Sequence, residues 1–225
     1  MKTCSEYRAM ARETLRGRWN EMALIMLVIV LITGCCYSPA LITNLIGMQM
    51  LSMSLSGFYF CLVLLLIVPL EYALYNLLLS FARNEEFEGS YAMYICRNFA
   101  AHWDKYVGSG LLMGLIIVLL YIPTLAIGSI ILAFAYSLVP FIIRDNPEMG
   151  VRDVLRTSRL MMRGHKWELF VLQLSFIGWY LLASLTLGIG GLWLTPYVGQ
   201  AMAHFYEDVK AEYEAKEDAE VIPAE

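Results

Sequence analysis

The feature that constrains this chain most is a set of three long segments without a single Asp, Glu, Lys or Arg. They run from 22 to 70, from 106 to 143 and from 169 to 206, and contain 49, 38 and 38 residues. A membrane-spanning helix needs about 20 mainly apolar residues, so each segment is long enough for two crossings. Composition agrees, because only 16% of the 225 residues are charged, against about 25% in soluble domains.

Turn-forming residues interrupt each uncharged segment near its middle. The interruptions are Cys35, Cys36, Pro39 and "GMQMLSMSLSG" in the first segment, Pro123 and Gly128 in the second, and "GIGG" at 188–191 in the third. The sequence therefore predicts an all-α, polytopic membrane protein with six spans in three hairpins, over residues 22–44, 57–80, 106–123, 126–143, 168–187 and 190–206. The alternative is a re-entrant loop, whose backbone needs protein or water around it at membrane depth.

The basic residues lie outside the uncharged segments and predict the orientation. They are Lys2, Arg8, Arg12, Arg16 and Arg18 before the first segment, Arg83, Arg97 and Lys105 before the second, and Arg144, Arg152, Arg156, Arg159, Arg163 and Lys166 before the third. Cytoplasmic segments carry the excess of Lys and Arg. Both termini and both long connections are therefore expected in the cytoplasm.

The C-terminal residues 207–225 differ from the rest of the chain in charge. They contain eight acidic residues but only two basic ones, Lys210 and Lys216. This local acidic excess is larger than the net charge of the whole chain, which is −4. We expect one transmembrane domain over residues 1–206, followed by an acidic cytoplasmic tail that forms a solvated, frayed helix.

The polar segments before the spans have the pattern of amphipathic helices at the membrane interface. In the first, Thr3 and Glu6 can form a capping box; in the third, Asn146 is the expected N-cap. A face of four arginines, with His165 and Lys166 after it, is a candidate site for anionic lipid headgroups or phosphate; ordinary positive-inside anchoring is the alternative. The arginines are Arg152, Arg156, Arg159 and Arg163, and Val151, Val154, Leu155, Ser158, Met161 and Met162 share a different face.

Trp19, Trp103 and Trp167 each stand beside charged residues just before an uncharged segment. Tryptophan is enriched at membrane interfaces, so these residues are predicted to anchor the chain there. Their shared position also suggests a helix-plus-hairpin unit repeated three times.

Glu71 is the one acidic residue well inside a predicted span, and an intramembrane carboxylate is a functional candidate by default. Asn76 lies close in sequence and could line the same polar cavity. A protonated or hydrogen-bonded carboxyl group with a purely structural role is the alternative.

The sequence contains no recognisable catalytic or metal-binding motif. The cysteines lack the spacing of a zinc site, and no zinc helix, nucleophile elbow or phosphate loop is present. His102, His165 and His204 could share a metal site only if the three hairpins converge, and interfacial histidines beside tryptophan are the simpler interpretation. We expect no metal, no cofactor and no nucleic-acid partner; a homo-oligomer or another membrane protein is a possible partner, beside the lipid bilayer and its anionic phospholipids.

Three stretches of the chain resemble the bacterial membrane-protein family known as domain of unknown function 975. They are "YRAMARETLRGRW" near the start, "NPEMGVRDVLRTSRLMMRGHKWELFVLQLSFIGWYLL" and "LTLGIGGLWLTPYV" followed by "HFY". The resemblance implies a polytopic helical protein of the bacterial cytoplasmic membrane and assigns no activity. The signature residues it indicates, without roles, are Ser158, Gly164, His165, Trp167, Trp179, Pro196 and Tyr197.

The function expected from the sequence is that of a non-enzymatic membrane module. Such a module would transport a small solute or scaffold envelope components, and it would contact anionic lipid. The alternative is an intramembrane enzyme that processes lipid, with cytoplasmic His and Arg residues holding a phosphate headgroup.

Overall fold

The computed structural model describes residues 2–47, 55–56, 58–59, 62–85, 90–121 and 127–221. In this part of the chain the regular structure is entirely helical, which confirms the predicted all-α class. The helices are α1 (Cys4–Thr14), α2 (Trp19–Leu45), a π-helical turn (Val63–Ile67) that leads into α3 (Val68–Ala82), α4 (Tyr91–Ala101), α5 (Trp103–Tyr121), α6 (Ile127–Ala135), α7 (Val139–Asp145), α8 (Val151–Met161), α9 (Lys166–Leu174), α10 (Ile177–Leu185) and α11 (Gly191–Val221).

The start of α1 has the capping box predicted from the sequence. The backbone N–H of Glu6 donates to Thr3 Oγ1 at 3.3 Å, and the backbone N–H of Thr3 donates to Glu6 Oε2 at 2.6 Å. Two backbone donors at the helix start are thereby satisfied.

The prediction that Asn146 caps the third amphipathic helix is wrong. Asn146 instead ends α7, where its N–H donates to the carbonyl of Ile142. The amphipathic helix α8 begins later, at Val151, with Gly150 as its N-cap. A polar residue between two helices can cap the end of the first or the start of the second. Here Asn146 caps the end of α7.

The same order of elements occurs three times. Helices α1, α4 and α8 each contain 11 residues and are each followed by a short turn and another helix. Trp19 and Trp103 are the first residues of their following helices, and Trp167 is the second. In two of the turns a glycine has a positive φ, +83° at Gly17 and +97° at Gly164, a backbone conformation that glycine adopts without steric cost.

Helix α11 is the centre of the bundle. It packs against α1, α2, α3, α8 and α10, and its residues Ala201, Ala203 and Phe205 are fully buried. It packs tightly on α3, where Gly199 faces Leu78. Small residues on α11 thus let the neighbouring helices reach its backbone.

Two helical stretches of the described chain are long and apolar enough to cross a membrane, Leu65–Ala82 and Lys166–Leu185. A third counts if Cys4–Thr14 and Trp19–Cys35, which meet at 94°, form one bent span. They correspond to the predicted spans 57–80, 168–187 and 22–44. The described residues therefore hold two or three candidate spans, fewer than the six predicted.

Part of the difference lies at an interruption of the second uncharged segment. Helices α6 and α7 have nine and seven residues and are separated by a turn, so the predicted span 126–143 is not one continuous helix of the about 20 residues that a span needs. The apolar part of α11 ends at Tyr206, where the charged residues begin. Pro123, the end of the predicted span 106–123 and most of "GMQMLSMSLSG" lie outside the described residues.

Replacement of Gly199 by alanine tests the close packing of α3 and α11. A Cβ atom at this position would lie 2.5 Å from Leu78 Cδ1, and Leu78 is buried. We expect Gly199→Ala to lower the free energy of unfolding by about 1–3 kcal/mol, the usual cost of overpacking, measured by thermal or denaturant unfolding.

Gly178→Ala is the matched control, because this helical glycine has no atom within 4 Å of the added Cβ. It should leave stability unchanged or raise it by up to about 1 kcal/mol, since alanine favours a helix. Equal effects of the two substitutions would contradict the packing shown here.

Candidate functional site at the charged end of the bundle

Three helices meet at the carboxylate of Asp145, the last residue of α7. Arg83 follows α3 and donates two bonds to Asp145, Nη1 to Oδ1 and Nη2 to Oδ2, both 2.7 Å long. From α11, the hydroxyl of Tyr206 donates to Asp145 Oδ2 at 2.8 Å and Lys210 Nζ donates to it at 2.6 Å. Arg83 Nε also donates to Glu207 Oε1 at 2.9 Å. We call these five residues the Asp145 cluster.

The Asp145 side chain is only 7% exposed, so its charge depends on these partners. Burial alone would raise the pKa of Asp145, but the hydrogen bonds from Arg83, Lys210 and Tyr206 and the charge of Arg83 lower the pKa to about 2. The carboxylate in turn raises the pKa of Arg83. Asp145 and Arg83 are therefore both charged at neutral pH.

A second set of contacts joins α1 to the same part of α11. Asp208 accepts hydrogen bonds from Lys2 Nζ at 2.6 Å and from the Tyr7 hydroxyl at 2.8 Å. Burial, together with the hydrogen bond to Asp208 and its charge, raises the pKa of Tyr7, so the hydroxyl keeps its proton. Helix α1 and the charged part of α11 thus meet at one end of the bundle.

The first turns of the acidic tail are docked, in contrast to the solvated tail that was predicted. Helix α11 continues without a break past Tyr206 to Val221, and Val209 is fully buried. Glu207, Asp208 and Lys210 pair with residues of the body. The predicted boundary at 206/207 is therefore the point where α11 becomes charged, and the helix does not end there.

The structure does not bring Glu71 and Asn76 together. Asn76 is fully buried; its Nδ2 donates to the Tyr106 hydroxyl at 2.5 Å, and its carbonyl accepts from Arg144 Nη1 at 2.6 Å. Glu71 is exposed on another face of α3. Asn76 therefore ties α3 to α5 and α7, whereas Glu71 lies on a different, exposed face of α3.

The four predicted arginines share the outer face of α8. All four are exposed, whereas Val154, Leu155, Ser158 and Met161 are buried, as the face assignment from the sequence requires. Ser158 Oγ donates to the carbonyl of Ala135 at 2.9 Å. The apolar face of α8 therefore packs on the bundle and not on lipid, a difference from the interfacial helix expected from the sequence.

His165 and Lys166 lie where α8 ends and α9 begins. His165 is buried between two carboxylates, with Nδ1 3.0 Å from Glu168 Oε2 and Nε2 3.5 Å from Glu212 Oε1. A cavity of about 510 Å³ lies beside it, between the end of α8 and α11; Arg163, Gly164, Tyr213 and Lys216 are among its lining residues. Lys166 is half-buried at the start of α9.

The three tryptophans predicted as anchors have different surroundings. Trp19 makes an edge-to-face contact with Tyr197, with ring centroids 5.9 Å apart. Trp103 Nε1 donates to the carbonyl of Leu65 at 2.8 Å. Trp167 is 71% exposed and contacts Phe170, so it has the freest access to the surroundings.

The three histidines have separate partners. His102 packs edge-to-face on Tyr106, and His204 Nε2 is 3.0 Å from Thr14 Oγ1. In the described part of the chain, no group of three or more His, Cys, Asp or Glu residues could hold a metal ion.

Sequence reasoning missed the Asp145 cluster. Its members lie 61 or more residues apart along the chain, apart from those that share α11. The available signal was positional, because Arg83, Asp145 and Glu207 are each near the end of the second half of a hairpin. Nothing local distinguishes these three from the other charged residues of the flanks.

Over the residues that it describes, the structure is thus all-helical, with two or three candidate membrane spans and a charged cluster that joins α3, α7 and α11. Its sequence matches the family described as Protein of unknown function (DUF975) in two overlapping segments, residues 1–124 and 101–213. The chain therefore belongs to this family. Neither a curated protein nor a solved structure matches it.

Replacement of Asp145 by asparagine should destabilise the protein strongly. The substitution leaves Arg83 and Lys210 partly buried without the charge that pairs with them, and breaking such a pair costs about 3–5 kcal/mol. Asp104→Asn is the control, because Asp104 is an exposed residue in the first turn of α5, and its loss should cost less than about 1 kcal/mol. Denaturant unfolding of both variants measures the difference, and equal losses would refute the role of the cluster.

The cluster also predicts how stability depends on pH. Because the pKa of Asp145 is about 2 in the folded protein, below its ordinary value of 3.8, the unfolded chain takes up this proton first as the pH falls. The contribution of Asp145 is therefore complete above about pH 4 and disappears between about pH 4 and 2. Unfolding titrations should show this loss in the unaltered protein, and the Asp145→Asn variant should lack it; identical acid profiles would contradict the assignment.

Proposed function

We propose that this chain is an integral, multi-pass protein of the bacterial cytoplasmic membrane. The observation that carries the proposal is the apolar surface exposed on α2 and α10. Helix α10 buries none of its residues, and Ile177, Leu181 and Leu185 are exposed on it, as are Leu24 and Leu31 on α2. Soluble monomers rarely expose contiguous apolar patches of more than a few hundred Å², whereas a lipid-facing surface is apolar throughout.

The proposed topology is six spans in three hairpins with both termini in the cytoplasm. Its support is the charged end of the bundle, where Lys2 pairs with Asp208 and the Asp145 cluster joins α3, α7 and α11. The opposite ends of the hairpins carry no charged residue, as at Leu187, which is 95% exposed. Cations gathered on one face are typical of the cytoplasmic side.

The role proposed for the protein is that of a non-enzymatic membrane module that contacts anionic lipid and scaffolds envelope components or transports a small solute. The contacts favour scaffolding, because Asn76 and Arg144 bond to each other and to neighbouring helices and so fix the interior. If the protein transports a solute, Glu71 is the residue that contacts the proton or the solute, and it lies apart from Asn76 and Arg144. The outward arginine face of α8 supplies the contact with anionic headgroups.

One observation favours the second candidate, an enzyme that acts on lipid. The cavity beside His165 is also lined by Arg163, so an imidazole and a guanidinium group face the same space. A general acid or base would then lie close to a phosphate-binding group. Purified protein would then turn over labelled lipid extract, and His165→Ala would abolish the reaction. Absence of turnover by the unaltered protein across pH and metal conditions would remove this candidate.

Cysteine labelling tests the proposed topology. In a variant without native cysteines, Leu187→Cys should react with a membrane-impermeant maleimide added to spheroplasts, because the residue lies at an exposed hairpin tip. Glu214→Cys, on the exposed tail helix, should react only after the membrane is permeabilised. The reverse pattern, or release of the protein from membranes by alkaline carbonate, would contradict the proposal.

Replacement of Arg152, Arg156, Arg159 and Arg163 tests the lipid contact. Each cation near an anionic leaflet contributes about 1 kcal/mol, so the fourfold Gln variant should co-purify with a smaller share of anionic phospholipid, measured by lipid mass spectrometry. The fourfold Lys variant is the control, because it keeps the charge and loses the planar fork. If the Lys variant keeps its anionic phospholipid and the Gln variant loses it, the contact is charge-based anchoring. Loss of the lipid in both variants indicates phosphate recognition by arginine. If the Gln variant keeps the lipid, the four arginines do not make the contact.

A further inference from the structure

A groove of about 370 Å³ lies between the first polar flank and the third hairpin. Arg12 and Trp19 come from the flank, and Trp179, Thr186, Trp193 and Tyr197 are among the residues that the hairpin contributes. This site is separate from the arginine face of α8 and from the cavity beside His165, and the roles proposed above do not use it.

The groove is long and polar at one end. Tyr197 contacts Trp19 on the side of the flank, whereas Gly190 belongs to the turn at the far end of the hairpin. Because a helix rises 1.5 Å per residue, these two residues lie roughly 10 Å apart along α11. Between them the walls are mainly indole rings and the side chains of Leu182 and Leu194.

Arg12 is the only charged residue among those that line the groove. It is exposed, and it makes no ion pair or hydrogen bond with the residues that the structure describes. A guanidinium group holds phosphate oxygens with two parallel bonds. No carboxylate lines the groove to oppose an anionic ligand.

These observations identify one kind of occupant. We infer that the groove holds an acyl chain of an anionic phospholipid whose phosphate is bound by Arg12. The chain lies along the indole rings toward the turn at Gly190, and Trp19 and Tyr197 contact the glycerol region, where aromatic residues are enriched in membrane proteins. The inference rests on the membrane location proposed above and adds a specific lipid site to it.

Quenching of tryptophan fluorescence by brominated lipid tests the site. The chain has five tryptophans, so Trp103→Phe and Trp167→Phe leave only Trp19, Trp179 and Trp193, all of which line the groove. This full-length variant is reconstituted in nanodiscs that contain a small fraction of lipid with brominated acyl chains. The lipid is either phosphatidylglycerol, which is anionic, or phosphatidylcholine, which is zwitterionic, and bromine quenches indole on contact.

We expect brominated phosphatidylglycerol to occupy the groove with about fivefold preference over brominated phosphatidylcholine, the effect of one cation on an anionic headgroup. Arg12→Gln should abolish the preference. Arg16→Gln is the matched control, because Arg16 is exposed in the turn after α1 and is not among the lining residues, so the preference should persist.

The other outcomes separate this inference from the proposed membrane location. Equal quenching by the two lipids, or the same loss of preference in Arg12→Gln and Arg16→Gln, would overturn the groove site and leave the membrane location standing. Absence of quenching by either lipid would overturn both, because even the exposed Trp179 would then be out of contact with acyl chains.

Discussion

The buried carboxylate of Asp145 is the interaction on which the charged end of the structure depends. A buried charge is costly unless partners surround it, and Asp145 takes its partners from α11 and from Arg83, the residue that follows α3. The three helices can therefore not separate here without leaving charges unpaired. The bidentate geometry of Arg83 also fixes their relative orientation, since both guanidinium nitrogens must face the carboxylate.

The apolar half of the molecule has a different organisation. Helices α2 and α10 expose most of their large apolar side chains, whereas the parts of α3, α7 and α11 near the Asp145 cluster are buried. Helices α2 and α10 thus present apolar surface to their surroundings, which is the arrangement expected of helices that meet lipid.

Local patterns in the sequence predicted a good part of this organisation. The uncharged segments, the capping box at Thr3 and the division of α8 into an arginine face and a buried face all follow from the spacing of residues within a few turns. The separation of Glu71 and Asn76 was also predictable, because five residues at 100° each place them about 140° apart on a helix. The described residues hold two or three candidate spans where the sequence predicted six, since uncharged length alone does not reveal the break between α6 and α7.

The Asp145 cluster was not predictable from one sequence, because its contacts are long-range and no local signal assigns a partner to a given charge. A double-mutant cycle between Arg83→Gln and Asp145→Asn, measured by unfolding of the full chain, tests it most directly. Close, hydrogen-bonded charge pairs have coupling energies of about 1.5 kcal/mol or more, and we expect a value in that range. Additive effects of the two substitutions, with a coupling energy near zero, would show that Arg83 and Asp145 do not hold the helix ends together.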